Sequence, residues 1–127
     1  MTARDLMLVA LGGAAGAVCR YVVSVAIQHR WVTHFPLGTF VVNVAGCLLI
    51  GMLAQAHQSG ALTAPVRLLL VTGGLGALTT FSTFGYETLR SYQDQGTSAA
   101  LLNISANLVI GLLAVIAGNA LGKQCWG

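Results

Sequence analysis

Polar positions along this chain are sparse enough to read as punctuation between four long apolar runs. The runs extend over residues 6–27, 37–56, 66–92 and 99–121, the first interrupted by Arg20. A helix that crosses a bilayer needs about 20 mostly apolar residues, so each run is long enough to span. Short connectors separate them. The first holds His29, Arg30, Trp31, His34 and Pro36, with Trp31 and Phe35 of the type that sits among lipid headgroups. The second, from His57 to Pro65, places Thr63 as a cap and Pro65 in the first turn of the third helix. The third is the polar turn Gln93-Asp94-Gln95-Gly96. Arg4 followed by the first run has the outline of a secretory signal, but no soluble stretch follows it, so it reads as the first span.

The third run departs from the pattern. After Val66–Val71 come Gly73, Gly74 and Gly76, then Thr79, Thr80, Phe81, Ser82, Thr83 and Phe84. Glycines followed by β-branched and hydroxyl residues make a poor continuous helix. Drawn straight, residues 66–92 would reach about 40 Å, more than the hydrocarbon requires. The pattern predicts a break in the third helix near the membrane centre.

Composition narrows the class. Of 127 residues, 56% are hydrophobic and 7% charged, and mean hydropathy is +0.80. A soluble domain carries about 25% charged residues. These values exclude a water-soluble enzyme, a nucleic-acid-binding domain and a disordered chain. Four spans and their loops use up the length, so the expectation is an all-α integral membrane protein, one four-helix domain over residues 1–127. A bundle this small has little room for a route through its middle, and a transport function favours at least a dimer. Arg4, Arg30, Arg67, Arg90 and Lys123 stand singly at the run edges rather than in a basic patch. Four spans put both termini on one side, with Arg4, Arg67 and Lys123 there and Arg30 and Arg90 opposite. That bias is small, and it leaves both a single orientation and a dual topology open. Cys19, Cys47 and Cys125 match neither a metal spacing nor a disulfide framework.

The polar residues inside the runs are the candidates for chemistry. Arg20 shares an i,i+4 ridge with Gly12, Gly16 and Ser24, so the face that admits a close neighbour also carries a cation. It is about 10 Å from the end of its run, within snorkelling reach; held inside the protein, it would attract an anion. Thr39, Asn43, Cys47 and Gly51 form a second ridge, and Asn103, Asn107 and Gly111 a third. Amides in hydrocarbon often join helices, but three of them together with Arg20 also suit a donor-lined route for an anion. A break near Gly76–Thr80 frees carbonyl oxygens able to hold a hard cation such as sodium. Phe81 and Phe84 lie among hydroxyls, where their rings either pack or turn electropositive edges toward an anion. Glu87 is the one acid clearly within a span.

The segment Gly73-Gly74-Leu75-Gly76-Ala77-Leu78-Thr79-Thr80-Phe81-Ser82-Thr83-Phe84, followed by Glu87, closely resembles the third-helix signature of the Fluc/CrcB fluoride channels. So do Gly38-Thr39-Phe40-Val41-Val42-Asn43 with Gly46 and Gly51, and the glycine-rich first span that ends in Arg20-Tyr21. The resemblance covers nearly the whole chain. It implies a passive, fluoride-selective channel that exports cytoplasmic fluoride, a multi-pass protein of the bacterial inner membrane and not an enzyme. It implies an antiparallel, dual-topology homodimer in membrane lipid, with two fluoride pathways along the interface and no nucleic-acid partner. A structural sodium ion at the dimer centre would be held by the backbone carbonyls of Gly76 and Thr79. Phe81, Phe84 and Asn43 would line the pathway, and Thr39, Ser82, Thr83 and Glu87 would form a polar track beside it. Asn103 and Asn107 fall where the family places hydrogen-bonding residues, and Arg20 matches an arginine near the vestibule.

Two other classes compete. A small proton-coupled multidrug exporter is also four-spanned and sometimes of dual topology, but it needs a deep titratable carboxylate. Glu87 is the one residue able to serve, and that reading leaves the polar break unexplained. A membrane scaffold built on small-residue packing accounts for Gly12 and Gly16 but not for the third run.

Overall fold

The computed structural model describes residues 1–127 as helices joined by short connectors, with no strand. Four helices are long and apolar enough to cross a membrane: Ala3–Arg30, Leu37–Gln58, Ala64–Gln95 and Thr97–Trp126. Each extends past the apolar run that marks it, because local hydrogen bonding sets the ends. Thr2 and Asp5 close a capping box, with the Thr2 N–H donating to Asp5 Oδ2 at 2.7 Å and the Asp5 N–H to Thr2 Oγ1 at 3.2 Å. The second helix starts after Pro36, where Phe35 and Phe40 meet edge to face at 5.5 Å. Thr63 takes the cap position of the third helix through its carbonyl, which accepts the Arg67 N–H; its hydroxyl makes no capping bond.

The polar turn expected at Gln93–Gly96 is shorter than the sequence indicates. Helix continues through Gln95 and restarts at Thr97, so Gly96 is the whole connector. It makes the reversal at φ +91°, a conformation that a side chain would strain.

Within the third span, helical geometry lapses at two residues. Thr79 and Thr80 have φ/ψ of −81°/153° and −147°/118°, both extended. Residues 64–78 form the half before this point, and Phe81–Gln95 the half after it. Leu68–Leu75 is wound as a π-helix, as is Ala106–Ile110 in the fourth span. Such turns recur at functional sites, since the wider winding redirects side chains and loosens the regular hydrogen-bond ladder.

The helices pack in two intimate pairs, the second on the fourth and the first on the leading half of the third. Small residues make the close approach possible. A methyl group at Gly118 would run into the Leu48 carbonyl, and one at Gly16 into the Gly74 carbonyl. Only 17 of the 127 residues are buried, while Leu, Ile and Val side chains face outward along every span. That distribution suits lipid or another protein chain as surroundings, and not water.

Candidate functional site

The two extended threonines leave backbone groups that helix bonding does not satisfy, and side chains take two of the freed N–H groups. In an unbroken helix the Thr80 N–H would donate to the Gly76 carbonyl. Here it donates to Asn43 Oδ1 of the second span at 2.9 Å. The Thr83 N–H, which would otherwise reach the Thr79 carbonyl, turns to Thr80 Oγ1 at 3.3 Å and caps the following half-helix. Thr80 Oγ1 in turn donates to Thr83 Oγ1 at 3.0 Å and lies 3.3 Å from Ser82 Oγ. Thr80 is buried, and Thr79 bonds its own preceding turn through the Leu75 carbonyl.

A cavity of about 350 Å³ opens beside this point, lined by Asn43, Gly76, Thr79, Thr80, Phe81, Phe84 and Asn107 among others. The rings of Phe81 and Phe84 lie 5.6 Å apart at a 50° tilt on one rim. Phe81 is 80% exposed within the single chain, an unusual position for an aromatic ring unless something else covers it.

From the cavity wall inward, the three asparagines form one chain of hydrogen bonds. Asn43 Nδ2 donates to Asn107 Oδ1 at 3.3 Å and to the Thr80 carbonyl at 3.4 Å. Asn107 Nδ2 donates to the Asn103 carbonyl and to Asn103 Oδ1, at 3.0 and 2.9 Å. Asn103 Nδ2 donates to Thr88 Oγ1 at 2.8 Å, and Thr88 Oγ1 donates to the Phe84 carbonyl at the same distance. Asn103 is 1% exposed and does not reach the cavity wall.

Thr39 and Glu87 form a second polar group, with Thr39 Oγ1 donating to Glu87 Oε1 at 2.9 Å. Glu87 Oε2 is buried with no protein partner. Ser82 and Thr83 join the hydroxyl cluster at Thr80 and are absent from the cavity wall. Arg20 stands apart on the first helix, half-buried, and takes no part in these bonds; the single ion pair, Arg90 with Asp94, is also elsewhere. No cluster of three or more His, Cys, Asp or Glu side chains gathers anywhere.

Three contributors escaped the sequence reading as site residues. The sequence marks Thr80 only as part of the break, and it marks neither Thr88 nor Ser91. The signal for them is the helical spacing Thr80–Phe84–Thr88 and Thr83–Glu87–Ser91, two i,i+4 ridges that carry the polar face past Glu87. Ser91 is buried and donates to the Glu87 carbonyl at 2.8 Å.

Residues 7–119 match the model of the family described as "CrcB-like protein, Camphor Resistance (CrcB)". A protein of Acidobacterium capsulatum named fluoride-specific ion channel FluC is 48% identical over 119 residues, covering 91% of this chain and 94% of that one. The protein of the same name from Chloroflexus aurantiacus is 42% identical over 124 residues, with 97% and 98% coverage. That of Maridesulfovibrio salexigens is 39% identical over 118 residues, with 92% and 94% coverage. On that evidence, with the match running through all four spans, the chain belongs to the CrcB-like family.

Proposed function

We propose that this protein is a fluoride-selective passive channel and not an enzyme, working in the bacterial inner membrane to release cytoplasmic fluoride. The observation that carries the reading is the cavity at Thr79–Thr80, lined by two asparagines, two threonines and two phenylalanines. Fluoride is small and strongly hydrated, so a path must replace its water with many weak contacts that still let it go. Asn43 fits that demand. Its donor bonds, at 3.3 and 3.4 Å, are long enough for a passing anion to compete for the same N–H groups. Phe81 and Phe84 can turn ring edges toward the ion. Asn107 borders the route and Asn103 supports it from behind. Ser82, Thr83, Thr39 and Glu87 continue polar contacts along the trailing half-helix, and Arg20 serves as a cationic vestibule.

The working unit in this reading is an antiparallel homodimer of one four-helix domain, residues 1–127, with the third helix broken near mid-membrane. Exposed Phe81 beside an open cavity supports a second copy as the missing wall. The near balance of basic residues on the two sides supports dual topology. The carbonyls of Gly76 and Thr79 suit a sodium ion at the dimer centre. They are the two oxygens whose usual N–H donors, on Thr80 and Thr83, have been diverted to side chains. Sodium favours uncharged oxygen ligands, and when bound there it supplies a positive charge that offsets the cost of an anion in low dielectric.

The test is fluoride efflux from liposomes carrying the purified protein, driven by valinomycin and a potassium gradient and read beside a matched chloride assay. Rapid fluoride release, little chloride release and no need for a proton gradient are the expected result. Folded, reconstituted protein that releases no fluoride would overturn the reading and favour a proton-coupled exporter.

A further inference from the structure

We infer that Thr88 is a positioning residue for conduction: it fixes which way the Asn103 amide points and, through Asn103, reinforces the orientation that backbone groups give Asn107 and Asn43. The inference rests on the channel reading above for its functional consequence, but its geometry stands separately. Three backbone groups of fixed character touch the chain. The Thr80 N–H can only donate, so Asn43 must present Oδ1 to it and turn Nδ2 toward Asn107. The Asn103 carbonyl can only accept, so Asn107 must present Nδ2 there and Oδ1 toward Asn43. The Phe84 carbonyl takes the Thr88 proton, which leaves Thr88 Oγ1 as an acceptor and requires Nδ2 from Asn103. All three impose the same sense, so the chain has one polarity from Thr88 to Thr80.

Thr88 is the end that a side chain controls. Asn103 is sealed at 1% exposure, and the Thr88 oxygen is the one side-chain partner its Nδ2 has. Without that oxygen, Asn103 must either bury a bare N–H or turn its amide over. Turning it over sets its NH₂ against the NH₂ of Asn107, and the bond that holds Asn107 toward Asn43 weakens. Thr88 never reaches the cavity wall, so its influence runs through the asparagines and not through contact with the ion.

The experiment compares Thr88→Val, which keeps the shape and loses the hydroxyl, with Thr88→Ser, which keeps the hydroxyl. Thr88→Val should slow initial fluoride efflux about fivefold, the worth of one neutral hydrogen bond, and Thr88→Ser should restore it. Thr88→Ala serves as a second variant lacking the hydroxyl if the valine chain does not fold. In an Asn103→Leu background the further loss from Thr88→Val should vanish, since the relay is already cut. Unchanged flux in folded Thr88→Val, or independent losses in the double variant, would overturn the inference. If the unaltered protein itself releases no fluoride, the channel reading fails, and the side-chain amide resonances of Asn43 decide the geometry. They should shift with Val and stay with Ser; resonances that ignore both substitutions would overturn the positioning role.

Discussion

Replacing Asn43 with Asp tests the site most directly, because the change alters one side of the amide and spares the other. Asp retains an oxygen for the Thr80 N–H, now bonded at 2.9 Å. It removes the nitrogen that donates to the Thr80 carbonyl at 3.4 Å and to Asn107 Oδ1 at 3.3 Å, and puts an acceptor against two acceptors. Two neutral hydrogen bonds account for about 0.5–1.5 kcal/mol each. The introduced charge weighs more. At about 4 Å and an effective dielectric near 20, a carboxylate and a fluoride repel by about 4 kcal/mol. At about 1.4 kcal/mol per decade, that slows passage roughly a thousandfold. Asn43→Leu separates charge from hydrogen bonding: it is neutral, but it strands the Thr80 N–H at a cost of about 1–3 kcal/mol. The leucine variant should therefore conduct better than the aspartate variant, although both lose stability. The assay is initial fluoride efflux under valinomycin, alongside thermal unfolding in detergent and an infrared check that the carboxylate is ionised. Ionised Asn43→Asp conducting within about tenfold of the unaltered protein would refute the placement of Asn43 on the pathway.

Other substitutions probe separate parts of the argument. Changing Phe81 and Phe84 together to Ile should nearly abolish fluoride efflux while leaving the oligomeric state on gel filtration unchanged, since isoleucine is apolar but has no ring edge. Gly118→Ala should cost about 1–3 kcal/mol of stability, read as a lower unfolding temperature, because the added methyl would lie 3.1 Å from the Met52 nitrogen and overlap the Leu48 carbonyl. Gly13→Ala has open space around it and should instead be neutral or stabilise by up to about 1 kcal/mol in the same melt. Thr39→Val removes the donor to Glu87 Oε1 and leaves both carboxyl oxygens without a protein partner. It should cost about 1–3 kcal/mol in the melt and slow efflux, with Thr39→Ser recovering both.

The spans were legible because hydropathy over about 20 residues needs no partner to be read. Details that depend on a single backbone bond were not. Nothing in the composition of Gln93-Asp94-Gln95 says that helix will persist through it; the outcome turns on Gly96, which makes the whole reversal at positive φ. Thr63 likewise has the right residue type for a cap, yet its hydroxyl makes no capping bond. The polar ridges in the second and fourth spans identified faces without saying which faces meet. That Asn43 touches Asn107, 64 positions later, follows from glycine packing between those two helices, with Gly51 against Val115 and Gly118 against Leu48. Thr88 was missed for a related reason. A threonine one turn past Phe84 reads as an ordinary helix residue until the amide it receives is seen.

The interruption in the third span also explains why packing and pathway fall on the same residues. In hydrocarbon an unpaired backbone group costs several kcal/mol, so a helix that opens there must bring its replacements with it. The N–H groups of Thr80 and Thr83 find theirs in Asn43 and in the Thr80 hydroxyl. The carbonyls of Gly76 and Thr79 lose their usual donors in the same exchange, which concentrates negative potential on one small stretch of backbone. Positive charge placed there would relieve it, and an anion moving past would gain from that charge as well. Asn43 is therefore bound twice to the function we propose: it keeps the helix open by holding Thr80, and it borders the cavity that the opening creates. A substitution that merely weakens its hold on Thr80 should lower stability and conduction together, whereas one that changes its charge should lower conduction far more.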